Sequence, residues 1–363
     1  MGILRFLLAL AVVITHTGGH FLGFKVIPGY TCVELFFIIS GFYMEFILSG
    51  SYNRKKDFYI SRLLRLWPLF LIIAVSYYLF AAGYTLLAHK AYTVAHAKEL
   101  AEQNIFLKIY VLFSNLTMIG QDIFSWFYIG PGGDIKWFYG QFLDGTDAAG
   151  YTWGGNLRMN GPAWSIGLEI WFYLLAPYLH KISSRKIILL LAVSIVAKFL
   201  LLKSIGLHTY FFFPTQFYLF LAGMLSFRYK KYLEFSGAIK QLLYLILLIG
   251  IVGYWYIPVN KELLRLFLLP LFLTITLNTL FYNFYSIKWD RIIGDLSYPI
   301  YISHSFILLV IPKLLEYMSV SFNSENFVYY LYLIVLLFSL FWTLKIEKII
   351  NKFRWRIAQK QAF

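Results

Sequence analysis

Ten stretches of close to 20 predominantly apolar residues follow one another along the chain, at about 3 to 22, 30 to 49, 66 to 87, 163 to 180, 187 to 203, 212 to 228, 241 to 257, 263 to 285, 298 to 317 and 327 to 345. Each approaches the length a helix needs to cross the hydrocarbon core of a bilayer. The polar segments between them are short, except for one from about 88 to 162. Inside that long segment, Ile105 to Gly120 is apolar again and is expected to be either an eleventh span or a helix at the interface. The pattern predicts an all-α polytopic transmembrane bundle of about ten spans, with the N- and C-termini both cytoplasmic.

Composition narrows the class further. With 60% hydrophobic and 13% charged residues and a mean hydropathy of +0.69, the chain has about half the charge of a soluble domain. A net charge of +15 raises the question of nucleic acid, and the placement of the charges answers it. In the ten-span topology 21 of the 32 Lys and Arg residues fall on the inner segments and 8 on the outer ones. That asymmetry orients a membrane protein, so the lipid bilayer is the expected partner and nucleic acid is not. The single cysteine, Cys32, excludes an internal disulfide and a cysteine metal cluster; it reads as a small buried hydrophobe. No Ala-x-Ala-like site follows the first apolar run, so no cleaved signal peptide is expected. Phe6 stands where myristoylation would need Ser or Thr.

Ionisable residues inside such spans are expensive and are read as functional by default. Arg5 and His16 are eleven residues apart in an otherwise apolar run, which places them on nearly the same helix face about 16 Å apart. The alternative for His16 is an imidazole satisfied by a neighbouring main-chain carbonyl. Glu34 opens the second span about 6 Å below its outer end, and His16 lies about 9 Å below the outer end of the first. The two are therefore expected to meet, with Glu34 orienting the ring and raising its basicity. Glu169 in the fourth span is expected at the same depth, about 10 Å from the outer surface. A proton-coupled transporter uses similar groups and is the main rival reading.

The inner side is different. Arg62 and Arg65 share a helix face and are able to grip one phosphate-bearing ligand, or simply to meet lipid phosphates as a topology signal. His304 is expected about 9 Å above the inner surface, too far from His16 to share a proton, as a structural residue or a lining residue. In the long outer segment Trp126, Tyr128, Trp137, Tyr139, Tyr151 and Trp153 suit an interfacial belt, or a platform on which sugar rings stack.

Five motifs together resemble the acyltransferase-3 family of integral-membrane acyltransferases, which includes bacterial O-acetyltransferases of surface polysaccharides. They are Arg5 and His16 with ten residues between, Glu34-Leu35-Phe36-Phe37 leading to Ser40-Gly41-Phe42, Arg62 and Arg65 before Pro68, Trp164-Ser165 with Glu169, Phe172 and Tyr173, and Ser297-Tyr298-Pro299 through His304. Family members often carry Asp where Glu34 stands. The resemblance implies a bacterial inner-membrane enzyme whose co-substrate is acyl-CoA, most often acetyl-CoA, taken from the cytoplasm. No permanently bound cofactor or metal is implied, and the acceptor is a hydroxyl of a glycan or lipid-linked oligosaccharide at the outer face. His16, Glu34 and Glu169 would be catalytic; Arg5, Arg62 and Arg65 would hold the donor; Ser40, Trp164, Ser165, Tyr173, Tyr298 and His304 would line the site. The membrane domain is expected over residues 1 to 346 and a basic cytoplasmic tail over 347 to 363, without the soluble hydrolase-like domain some relatives add. A flippase of a lipid-linked substrate and a glycan polymerase are the other readings.

Overall fold

The computed structural model describes residues 1–50, 52, 54–88, 103–130, 132–138, 151–320 and 324–359. The chain is mostly helical. Its helices are α1 (Gly2–Thr15), α2 (Gly29–Leu48), α3 (Lys55–Ala88), α4 (Ile105–Thr117), α5 (Trp164–Leu179), α6 (Ser184–Ile205), α7 (Phe213–Arg228), α8 (Gly237–Val252), α9 (Leu269–Phe284), α10 (Lys288–Asp295), α11 (Ser297–Tyr317), α12 (Ser324–Phe341) and α13 (Lys348–Gln359). A helix occupies each of the ten apolar stretches, and six helical segments among the described residues are long and apolar enough to cross a membrane. The stretch at Ile105 forms a helix of 13 residues, closed by Met118 in the left-handed conformation.

Helix α2 is the hub. Thirteen of its 20 residues are buried, because α1, α5, α7 and α9 all pack on it. By contrast α6 buries only Ile187, Ser194 and Lys198 of its 22 residues, the pattern of a helix with one protein face and a broad lipid-facing one. The α2–α7 contact depends on two glycines. A Cβ on Gly41 would lie 1.9 Å from the Phe220 carbonyl oxygen, and one on Gly223 would lie 1.9 Å from that of Ile38. Small residues at such crossings let two backbones approach closely in lipid, where packing replaces the hydrophobic effect as the main attraction between helices.

Helix α1 ends at Thr15, earlier than the apolar pattern extends. Gly18 and Gly19 turn the chain with positive φ, and residues 20 to 25 form a hairpin of β1 (His20–Phe21) and β2 (Phe24–Lys25). Leu22 and Gly23, both at positive φ, make its turn, the geometry that suits the right-handed twist of two-residue hairpins. The N-terminal end of α1 is held by Asp290 of α10, whose carboxylate accepts from the Gly2 and Ile3 amides at 2.7 and 3.0 Å. A carboxylate there satisfies donors that the first helical turn leaves open.

The described part of the long segment between α3 and α5 folds as a small cap. Strands β3 (Phe127–Ile129), β4 (Ile135–Trp137) and β5 (Thr152–Trp153) pair antiparallel in the order β4-β3-β5. Trp126 packs on Phe212 and Trp153 on Phe211, both half-buried, while Trp137 touches Phe127 but stays exposed. Tyr139 lies outside the described residues. At the other end of the chain a π-helical turn, Trp342–Glu347, joins α12 to α13. Helix α13 folds back on α3, where the Arg354 Nε donates to Ser61 Oγ at 3.3 Å. The segment expected as a basic tail is, as far as it is described, a helix lying against α3.

Candidate functional site

A cavity of about 130 Å³ lies among α1, α2, α3, α5 and α11. Its polar lining is concentrated: Arg5, Arg62 and Arg65 supply positive charge, Glu169 a carboxylate, and Ser40, Tyr173 and Tyr298 hydroxyls. Val33, Phe36, Phe37, Met44 and Leu66 make an apolar wall. A polar end beside an apolar wall suits a ligand with a charged group on an uncharged chain.

Helical spacing explains the grouping of the arginines. Arg62 and Arg65 are one turn apart on α3, and Arg5 comes from the facing α1, where it donates to Ser297 Oγ at 2.9 Å and lies over the Tyr43 ring at 5.6 Å. Arg62 is 5% exposed, and its Nε has no acceptor. Among the described residues none of these three arginines forms an ion pair within 4 Å. Glu169 is held instead by hydroxyls: Ser40 Oγ donates to it at 2.6 Å and Tyr173 one turn later donates to the same oxygen. Tyr298 donates to the Leu66 carbonyl. Ser165 shares a 2.7 Å hydrogen bond with Tyr301, which also lines the cavity.

Tyr301 leads from this cavity to the histidines. Its carbonyl accepts from His304 Nδ1 at 2.7 Å, and the rings of His304 and His16 are 4.8 Å apart, centroid to centroid. The expectation that His304 lies too far from His16 is therefore wrong. Depth measured along the sequence ignored that α1 and α11 pack side by side in the same direction, Arg5 meeting Ser297 at one level and His16 meeting His304 at the next. His16 Nδ1 is 2.9 Å from the Val12 carbonyl. A carbonyl only accepts, so in the neutral form of both histidines the Nδ1 carries the proton and the Nε2 presents a lone pair. His16 is exposed at the end of α1, whereas His304 is 0% exposed with an unpartnered Nε2.

Glu34 does not meet His16. Its carboxylate, 1% exposed, takes two bonds from Arg265, at 2.7 Å from Nε and 2.9 Å from Nη2, and one from Lys198 at 3.3 Å. The Arg265 guanidinium also lies 4.5 Å above the Tyr30 ring. The ring of His16 is oriented by its own helix, one turn back, and Glu34 is claimed by cations on α6 and just before α9. Sequence reasoning missed that triad, although Lys198 and Arg265, as ionisable residues within apolar stretches, carried the signal. Glu169 likewise belongs with the arginines and hydroxyls of the cavity. Trp164 packs on Phe37, Tyr210 and Phe211 at 4.6 to 6.5 Å, and it is not among the residues that line the cavity.

A second polar group lies under the cap. Asp122, fully buried, accepts from Trp171 Nε1 at 3.2 Å, and Arg158 donates to Ser125 Oγ at 2.6 Å and to the Gln121 carbonyl at 3.3 Å. Burial pushes the Asp122 carboxyl up to about 7, against the opposing effects of its hydrogen bonds and of Arg158. Among the described residues no three His, Cys, Asp or Glu side chains converge as metal ligands.

Comparison with known proteins matches the chain to one family. No curated protein and no solved structure matches the chain at the significance required. Residues 1–346, however, match the family model described as an acyltransferase domain. The match takes in every helix that contributes to the cavity and to the histidine pair, and the chain belongs to the acyltransferase-3 family of membrane proteins.

Proposed function

We propose that this protein moves an acyl group, most often acetyl, from cytoplasmic acyl-CoA to a hydroxyl of a cell-surface or lipid-linked glycan at the outer face of a bacterial inner membrane. One observation carries the reading: a cavity lined by three arginines, none of which forms an ion pair within 4 Å among the described residues, is joined through Tyr301 to a pair of histidines at the far end of α1. The arginines suit the phosphates of a CoA thioester, since guanidinium groups recognise phosphate through paired donors. The apolar wall suits its pantetheine arm.

In this scheme the acceptor hydroxyl approaches His16, whose Nε2 holds a lone pair and takes the proton as the oxygen attacks the thioester carbonyl. The carbon–sulfur bond breaks, the acyl group passes to the oxygen, and the CoA thiolate leaves and takes up a proton. His304, buried beside His16, helps hold the proton between the two rings. Glu169, fastened by Ser40 and Tyr173, offsets the positive charge of the arginines and keeps their placement. Glu34 has no part in the proton transfer.

The test is release of free CoA from acetyl-CoA by purified protein in detergent, given an acceptor glycan, with mass spectrometry of the glycan for the acyl increment. A second reading, a proton-coupled transporter or flippase, draws on the buried Glu34–Lys198–Arg265 group, since charges inside a membrane bundle often bind a driving ion. Protein that releases no CoA but moves solute across vesicles under a pH gradient would establish that second reading.

A further inference from the structure

Beyond the cavity, positive charge continues into the last helix. Arg354 lies on α13, past residue 346 where the family match ends. Its Nε points to Ser61 Oγ at 3.3 Å, and Arg62 Nη2 points to the same oxygen at 3.5 Å. Tyr52 also places its hydroxyl there, at 2.7 Å. A serine oxygen has two lone pairs, so three donors converge on a single acceptor that cannot serve them all. The Arg62 Nε is buried with no acceptor, and among the described residues neither Arg62 nor Arg354 forms an ion pair within 4 Å. The nearby carboxylate of Glu347 leaves its own Oε2 unpartnered. Arg354 Nη1 is taken up by Asn351 Oδ1 at 2.6 Å, and the donors left over, on the buried Arg62 and the half-buried Arg354 beside it, mark a place for an anion with several acceptor oxygens.

We infer that Arg354, with Arg62 and Ser61, forms a phosphate site for the nucleotide end of the acyl donor, and specifically for the 3′-phosphate of CoA. The inference rests on the acyl-CoA reading above. CoA is a long molecule whose thioester must lead into the protein while its nucleotide trails. The helix that follows the last span is therefore placed to meet the trailing phosphate, with Arg5 and Arg65 left for the pyrophosphate and the arm beyond it.

The experiment measures acyl transfer by full-length protein in detergent with two donors, acetyl-CoA and acetyl-dephospho-CoA, the second lacking only the 3′-phosphate. Arg354→Ala is expected to raise KM for acetyl-CoA about tenfold or more with kcat unchanged, the loss expected for a charge-assisted hydrogen bond to phosphate. With acetyl-dephospho-CoA, wild type and Arg354→Ala should have equal KM. Arg354→Lys, which keeps the charge, should fall between and guards against a folding defect in the alanine variant. An Arg354→Ala protein that keeps wild-type KM for acetyl-CoA, or loses affinity for both donors alike, overturns the inference while leaving the acyl-CoA reading intact. Wild-type protein that uses neither thioester overturns both.

Discussion

Removing Glu34 should damage the fold before it damages the chemistry. Its carboxylate, 1% exposed, accepts from Arg265 at 2.7 and 2.9 Å and from Lys198 at 3.3 Å. Glu34→Ala leaves two cations facing each other in an apolar surround, and breaking a buried ion pair in this way costs about 3–5 kcal/mol. Replacing all three residues by apolar ones of similar size removes the stranded charge as well as the pair, which is commonly neutral or stabilising. Glu34→Ala should therefore unfold at a markedly lower temperature in detergent, followed by tryptophan fluorescence. The triple variant Glu34→Leu, Lys198→Met, Arg265→Leu should recover to within about 1 kcal/mol of wild type. It should also retain acyl transfer, because His16 is oriented by Val12 and not by Glu34. A Glu34→Gln protein as stable as wild type but inactive would refute this argument and return Glu34 to the reaction.

Other consequences are as direct. His16→Ala should lower transfer by about 10²- to 10⁴-fold at equal membrane expression, the usual contribution of a general base; wild-type acylation of surface glycan by that variant would remove His16 from the mechanism. Arg62→Ala combined with Arg65→Ala should raise the apparent donor KM far more than that of the acceptor, measured by donor titration in inverted vesicles. Asp122 makes a pH prediction. Its folded carboxyl titrates near 7, above its ordinary value of 3.8, so the folded state holds a proton that the unfolded chain has already lost. The group therefore costs nothing below pH 4 and lowers stability progressively between about 4 and 7. Asp122→Asn should match wild type near pH 4 and exceed it above pH 7, by up to about 4 kcal/mol; parallel stability curves across that range would count against a buried, proton-holding Asp122.

Membrane class and the location of the helices were legible in the chain because the bilayer imposes a one-dimensional rule: every backbone polar group must bond within its own segment, so long apolar runs become helices. The same rule made Arg5, His16, Glu34 and Glu169 conspicuous as charges within apolar runs, while Arg62 and Arg65 were legible only as a pair on one helix face. Partnership was a different matter. A helix can be rotated and slid against its neighbours without altering its own hydropathy pattern, so depth along the sequence does not say which faces meet. Close glycine contacts at Gly41 and Gly223 set how α2 sits on α7, and the packing of α2 turns Glu34 towards Lys198 and Arg265, not towards His16. The parallel packing of α1 on α11 brought His304 beside His16, and the return of α13 onto α3 carried Arg354 to Ser61 across 293 residues of chain. Such long-range pairings arise from side-chain shape across helix interfaces, a property of two surfaces together that no single segment encodes.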